Sequence, residues 1–228
     1  MSMNLLAIDA STEALSVALR FNGEMYDFFD VCPQQHSQKM LPVIDELLGK
    51  AKCKLKDLDG IVFGRGPGSF TGVRIGVAIA QGLAFSSNLK LVGVSTLQAM
   101  AQQAYEQTGV DRVLAGIDAR MDEIYVCDYA LDDGIMQPLC NESVIKPEEL
   151  NCTNKPELAV GTAWETYPNA LELLGSITMS KEITLPDARY MLKIAEADFM
   201  ANQSVEAANA QPHYVRDTVS WKKLPGRE

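Results

Sequence analysis

Leu5-Leu6-Ala7-Ile8-Asp9-Ala10-Ser11-Thr12-Glu13-Ala14-Leu15-Ser16-Val17-Ala18-Leu19 is the stretch on which the reading of the chain turns. A short apolar run ends in an acid, small and hydroxyl-bearing residues follow, and a second, partly alternating run begins at Ala14. Asn22-Gly23 is a strong hairpin signal, because both residues tolerate the positive φ of a tight turn. Glu24 to Val31 then reads as a third strand, so the chain opens as an antiparallel meander.

Beyond the meander, Met40, Val43, Ile44, Leu47 and Leu48 recur at helical spacing, which predicts a helix from Ser37 to Ala51 with Pro42 near its first turn. A buried strand, Gly60-Ile61-Val62-Phe63, runs into Gly64-Arg65-Gly66-Pro67-Gly68-Ser69, and a long helix is expected from about Phe70 to Ser86. A strand from Leu89 to Val94 and a helix from Thr96 to Gln107 complete the first half. Leu114-Ala115-Gly116-Ile117-Asp118-Ala119 then repeats Leu5-Leu6-Ala7-Ile8-Asp9-Ala10, which reads as an internal duplication. After a second meander, a strand at Glu157 to Gly161, a helix from Trp164 to Leu174, a short strand from Ser176 to Met179 and a helix from Asp187 to Ala201 are expected. Two lobes, 1–109 and 110–228, each with a mixed sheet flanked by helices, make an α/β protein.

Composition narrows the function. Thirty acidic against 20 basic residues give a net charge of −10, with no basic face of the kind that phosphate neutralisation requires, so RNA is expected to be met only through a partner. The cysteines (Cys32, Cys53, Cys127, Cys140, Cys152) show no metal or disulfide spacing and read as reduced, mostly buried thiols. With only His36 and His213, a histidine-rich metal centre has too few ligands. The opening Met1-Ser2-Met3-Asn4 does not read as a secretory leader. No apolar run reaches the ~20 residues that span a bilayer, and a cytoplasmic location is expected.

Three features bear on chemistry. The strand-Asp9-Ala10-Ser11-Thr12-strand unit resembles the first phosphate loop of the actin, Hsp70 and sugar-kinase superfamily, which implies a two-lobed, ribonuclease H-like fold. Asp9, Ser11 and Thr12, with Gly68 and Ser69 of the glycine-rich string, are then the candidate contacts for weakly held ATP or ADP. In the second half the places of Ser11 and Thr12 fall to Arg120 and Met121, whose length crowds such a loop. The string from Gly64 to Gly72 lacks the Gly-Lys-Ser/Thr ending of a P-loop. It reads equally as an anion cradle at a helix start capped by Ser69 and as a tight turn needing close backbone approach. The two helices around Met40 and Val77 are apolar over most of their circumference, either as central core helices or because one face is kept for another subunit.

His36-Ser37-Gln38-Lys39-Met40-Leu41-Pro42, the run Gly64 to Gly76, Gly93-Val94-Ser95-Thr96-Leu97, Ile117-Asp118-Ala119-Arg120-Met121 and Trp221-Lys222-Lys223-Leu224-Pro225-Gly226 together resemble the bacterial TsaB (YeaZ) family over essentially the whole chain. The resemblance implies a non-catalytic partner subunit in forming N6-threonylcarbamoyladenosine at position 37 of tRNAs reading codons that begin with A. It implies pairing with the paralogue TsaD, cooperation with the ATPase TsaE, and homodimers when alone. Met40, Leu41, Ile44, Leu47, Leu48, Val73, Val77 and Ala80 are the expected contacts. The paralogue's His-x-x-x-His metal pair falls here on Thr96 and Met100, so neither a metal site nor a catalytic residue is expected. A rival of another class is an autonomous ATPase or small-molecule kinase using Asp9 and Asp118.

Overall fold

Each half of the chain pairs its first strand antiparallel with the second and parallel with a later one, the fourth strand in the first half and the fifth in the second, and this arrangement sets where the cleft falls. A computed structural model describes residues 2–152, 155–175 and 177–216. In the first half β1 (Leu5–Asp9), β2 (Ala14–Phe21), β3 (Glu24–Val31), β4 (Gly60–Gly64) and β5 (Leu91–Val94) form a sheet in the order β3-β2-β1-β4-β5. In the second, β6 (Arg112–Arg120), β7 (Glu123–Asp132), β8 (Ile135–Pro138), β9 (Ser143–Ile145), β10 (Leu158–Val160) and β11 (Thr178–Met179) give β11-β10-β6-β7-β8, with β9 also on β7. Strand for strand the orders correspond, as a duplication requires. The expected two-lobed actin/Hsp70-like fold, with a mixed sheet in each lobe, is the one observed.

The apolar strands explain the layers. Every residue of β1 is buried because both faces of its sheet are covered. Leu6 and Ile8 meet α1 (His36–Ala51) and α2 (Phe70–Ser87) on one side. Leu5 and Ala7 meet α6 (Met191–Met200) on the other. On the second sheet Val113, Ala115 and Ile117 pack against α3 (Thr96–Thr108). Leu114 and Val126 pack against Trp164 and Ala170 of α4 (Ala163–Thr166) and α5 (Pro168–Glu172). The division near Gly109 therefore separates the sheets, while the helices at the ends of the two halves are exchanged: α3 lies on the second sheet and α6 on the first. Arg20 ties α6 down through a 2.7 Å ion pair to Glu196, and Ser16 Oγ accepts from Ala188 N at 2.9 Å. The chain continues along the first lobe, with Val205 bridging Leu91 and His213 N donating to Arg65 O at 2.8 Å.

Two helix expectations are corrected. The Trp164–Leu174 helix is broken into α4 and α5, because Pro168 pushes Tyr167 out of helical geometry (φ −129, ψ 66) and starts the second piece. Helix α1 starts at His36, whose Nε2 lies 3.1 Å from Ala14 O, so Pro42 sits inside the helix and not in its first turn. Ser176, the stretch 217–228 with Trp221, Lys222 and Lys223, and any tail contact expected of them lie outside the described residues.

Candidate functional site

A cleft of about 750 Å³ opens between the lobes, with Ser11, Thr12, Gly68 and Ser69 on one wall and Asp118, Arg120 and Glu165 on the other. Four of the five candidate phosphate contacts thus share one cavity. The fifth, Asp9, is buried beneath Ser11. Its Oδ1 accepts from Ser11 N at 2.9 Å and Ser11 Oγ at 2.8 Å, while Oδ2 is buried with no hydrogen-bond partner among the described residues. Burial, offset in part by the Ser11 hydrogen bonds, raises this carboxyl to about 6.

The glycine-rich string is a close-approach turn. A Cβ on Gly68 would stand 2.1 Å from Ser11 O, and one on Gly72 the same distance from Ala10 O. Ser69 N donates to Ser11 O at 2.7 Å and Gly72 N to Ser69 Oγ at 3.3 Å, so two amides of the α2 start are already used within the chain. Thr96, in the place of the first paralogue histidine, is buried and donates through Oγ1 to Ser11 Oγ at 2.9 Å; Met100 is buried in the second core.

The second half-site is closed more tightly than a loop with long side chains would be. Ser11 and Thr12 sit, buried, in a four-residue loop between β1 and β2, but Arg120 ends β6 as a strand residue and pairs with Glu123 after a register shift. Met121 and Asp122 form the whole turn, both with φ 59, the positive pair that a two-residue hairpin needs. The Arg120 guanidinium then donates to Asp118 Oδ2 at 3.0 Å and to Glu13 Oε1 at 2.9 Å, crossing the cleft mouth. Arg216, from the returning C-terminal segment, pairs with Glu123 on the same hairpin. Sequence reasoning missed Glu13, Glu165 and Arg216, whose lone charges carry no local pattern.

The proposed contact side chains need a correction. Met40, Ile44, Leu47, Leu48, Val73, Val77 and Ala80 are buried in this chain's own core, and of that set only Leu41 is exposed. Their spacing marks the stripes that α1 and α2 turn toward the sheet. What the two helices turn outward is mixed: Leu41 and Pro42 on α1 and Ala78, Gly82 and Phe85 on α2 give an apolar strip, with half-buried Ile75 and Ile79 beside it, while Gln38, Asp45, Glu46 and Lys50 of α1 and Arg74 of α2 are exposed around it. Phe85 is 84% exposed. Its place outside the buried stripe was the available signal.

Comparison with known proteins shows the family. The Escherichia coli (strain K12) tRNA threonylcarbamoyladenosine biosynthesis protein TsaB is 44% identical over 231 residues, covering 99% of this chain and 100% of the relative. The Haemophilus influenzae protein of the same name is 41% identical, covering 100% and 99%. The chain belongs to the TsaB family. A family model described as TsaD, tRNA N6-adenosine threonylcarbamoyltransferase, matches residues 30–197. The solved structure of YeaZ from Pseudomonas aeruginosa superimposes with a TM-score of 0.86 at 40% identity, covering 94% of this chain and 100% of that one.

Proposed function

We propose that this TsaB-family chain is a partner subunit without chemistry of its own in the formation of N6-threonylcarbamoyladenosine at position 37 of tRNA. It docks a TsaD-type catalytic subunit, and a second copy of itself when that subunit is absent, through the outward face of α1 and α2. It works with a TsaE-type ATPase, meets tRNA through its partner, and does so in the cytoplasm. The observation that carries this reading is the apolar strip of that outward face, where Leu41, Ala78, Gly82 and Phe85 are covered by none of the described residues, on helices whose inward stripes are already used. Burial of apolar surface is the main drive for association, and small residues allow close helix approach. The cleft supports the absence of catalysis: Asp9 is sealed from solvent, and Arg120 lies between Glu13 and Asp118 where an entering triphosphate would meet three acids with Glu165. ATP or ADP is therefore held weakly there.

The test is reconstitution of tRNA modification with TsaD- and TsaE-type proteins, with and without the chain. Modification that depends on the chain, and is lost on Ala78→Arg, supports the reading. Equal modification without it rejects the role, and ATP turnover by the purified chain, abolished by Asp118→Ala, would establish the kinase or ATPase alternative.

A further inference from the structure

A pair of thiols stands outside the cleft, in the second lobe. Tyr129 of β7 faces Pro138 of β8, and Leu139 N donates to Asp128 O at 2.8 Å. Beyond that contact the chain bends at Leu139 and Cys140 and rejoins β7 two residues out of register at Val126 and Ser143, which leaves Cys140 in the bend beside Cys127. The sulfurs are 4.0 Å apart, and Cys127 Sγ lies 3.4 Å from Cys140 O. Cys140 is exposed and lines a cavity of about 480 Å³ with Tyr129, Glu142 and His213, whereas Cys127 is buried.

From this juxtaposition we propose that Cys127 and Cys140 form a reversible intrachain disulfide when the protein meets a peroxide. Cys140, open to water, attacks the peroxide: its sulfur gains one oxygen as sulfenic acid, the O–O bond breaks, and one water leaves. Cys127 then attacks that sulfur; the S–S bond forms, the S–O bond breaks, and the thiol proton departs with the hydroxide as a second water. The two thiols are oxidised by two electrons and the peroxide is reduced to two waters. The order of events follows from environment, since burial, with the nearby Cys140 and Glu142 adding, pushes the Cys127 thiol up to about 12. Cys127 is thus a poor first nucleophile and acts as the resolving thiol because it is held in contact.

The link would fasten the segment after β8 to β7. That segment carries Glu142, which accepts hydrogen bonds from Ser95 Oγ, the cap of α3, and from Tyr129 OH, and whose Oε2 lies 3.7 Å from His213 Nε2. Oxidation therefore fixes a junction where the second sheet, α3 and the returning C-terminal segment meet.

The experiment treats the purified full-length chain with hydrogen peroxide, alkylates, and maps peptides by mass. The expected result is loss of two alkylatable thiols from the five, a Cys127–Cys140 linked peptide, full reversal by dithiothreitol, and no link in Cys140→Ser. In Cys127→Ala, Cys140 should be trapped as sulfenic acid by dimedone. All five thiols still alkylated, Cys140 joined to Cys152 or to a second chain, or Cys140 carried to sulfinic acid with no link would each overturn the proposal.

Discussion

Arg120 Nη2 stands 2.9 Å from Glu13 Oε1, so a guanidinium rooted in the second lobe closes across the cleft onto the first. Its Nη1 is spent on Asp118 Oδ2 at 3.0 Å, which leaves Nη2 for the Glu13 contact across the cleft mouth. With side chains 74% and 45% exposed, an ion pair of this kind contributes about 0.2–1 kcal/mol. A double-mutant cycle of Arg120→Ala and Glu13→Ala should give a coupling in that range at low salt. It should vanish at 1 M salt, where screening acts over about 3 Å. A salt-resistant coupling several-fold larger would mean that the pair is desolvated.

The Asp9 carboxyl gives stability a pH signature. Its pKa is raised from the ordinary 3.8 to about 6, so the folded chain holds the proton more tightly than the unfolded one. The favourable contribution is fully present below 3.8 and is lost as pH rises through about 6. A rise of about two units corresponds to roughly 3 kcal/mol, as an order of magnitude. Asp9→Asn does not titrate. Denaturation of both proteins from pH 4.5 to 7.5 should show the variant gaining relative to the parent as pH rises, and a difference that stays flat would refute the shift.

Much of this was legible in the chain itself. Alternation and Asn22-Gly23 specify the first meander, and the glycine-rich string between an apolar run and a helix specifies a strand-turn-helix. The repeat at Asp118 announces the second lobe. The exchange of α3 and α6 was not legible, because periodicity shows that a helix has an apolar face without showing which sheet covers it. The inward stripe of α2 reads as apolar in the same way an interface would. Only the position of Phe85 off that stripe distinguishes the outer face. The arrangement of Arg120 depends on a two-residue turn whose register shift a local alignment with Ser11 and Thr12 does not reveal.

Adjacent residues of α2 should therefore respond in opposite ways. Val77 is 4% exposed, in contact with the first core; Val77→Asp leaves an unpaired buried charge and should cost about 3 kcal/mol or more, unfolding much of the chain. Ala78 points outward, so Ala78→Arg should melt like the parent yet shift the mass measured by light scattering from dimer to monomer. An Ala78→Arg protein that stays dimeric would move the docking surface away from α2.

Two glycines make a matched pair of the same kind. At Gly68 an added Cβ would meet Ser11 O at 2.1 Å, a backbone atom of the facing loop that cannot swing aside as a side chain would. Gly68→Ala should destabilise by about 1–3 kcal/mol through overpacking and loosen the Ser69 N to Ser11 O bond, seen as faster amide exchange at Ser69. At Gly82, inside α2, no atom of the described residues lies within 4 Å of the added carbon; there alanine should stabilise the isolated chain by about 0.5–1 kcal/mol by restricting the unfolded backbone. Because Gly82 is on the outward face, the same methyl separates helices across the proposed contact, so a higher melting temperature should come with weaker self-association. Tighter pairing in Gly82→Ala would place that contact on another part of the surface.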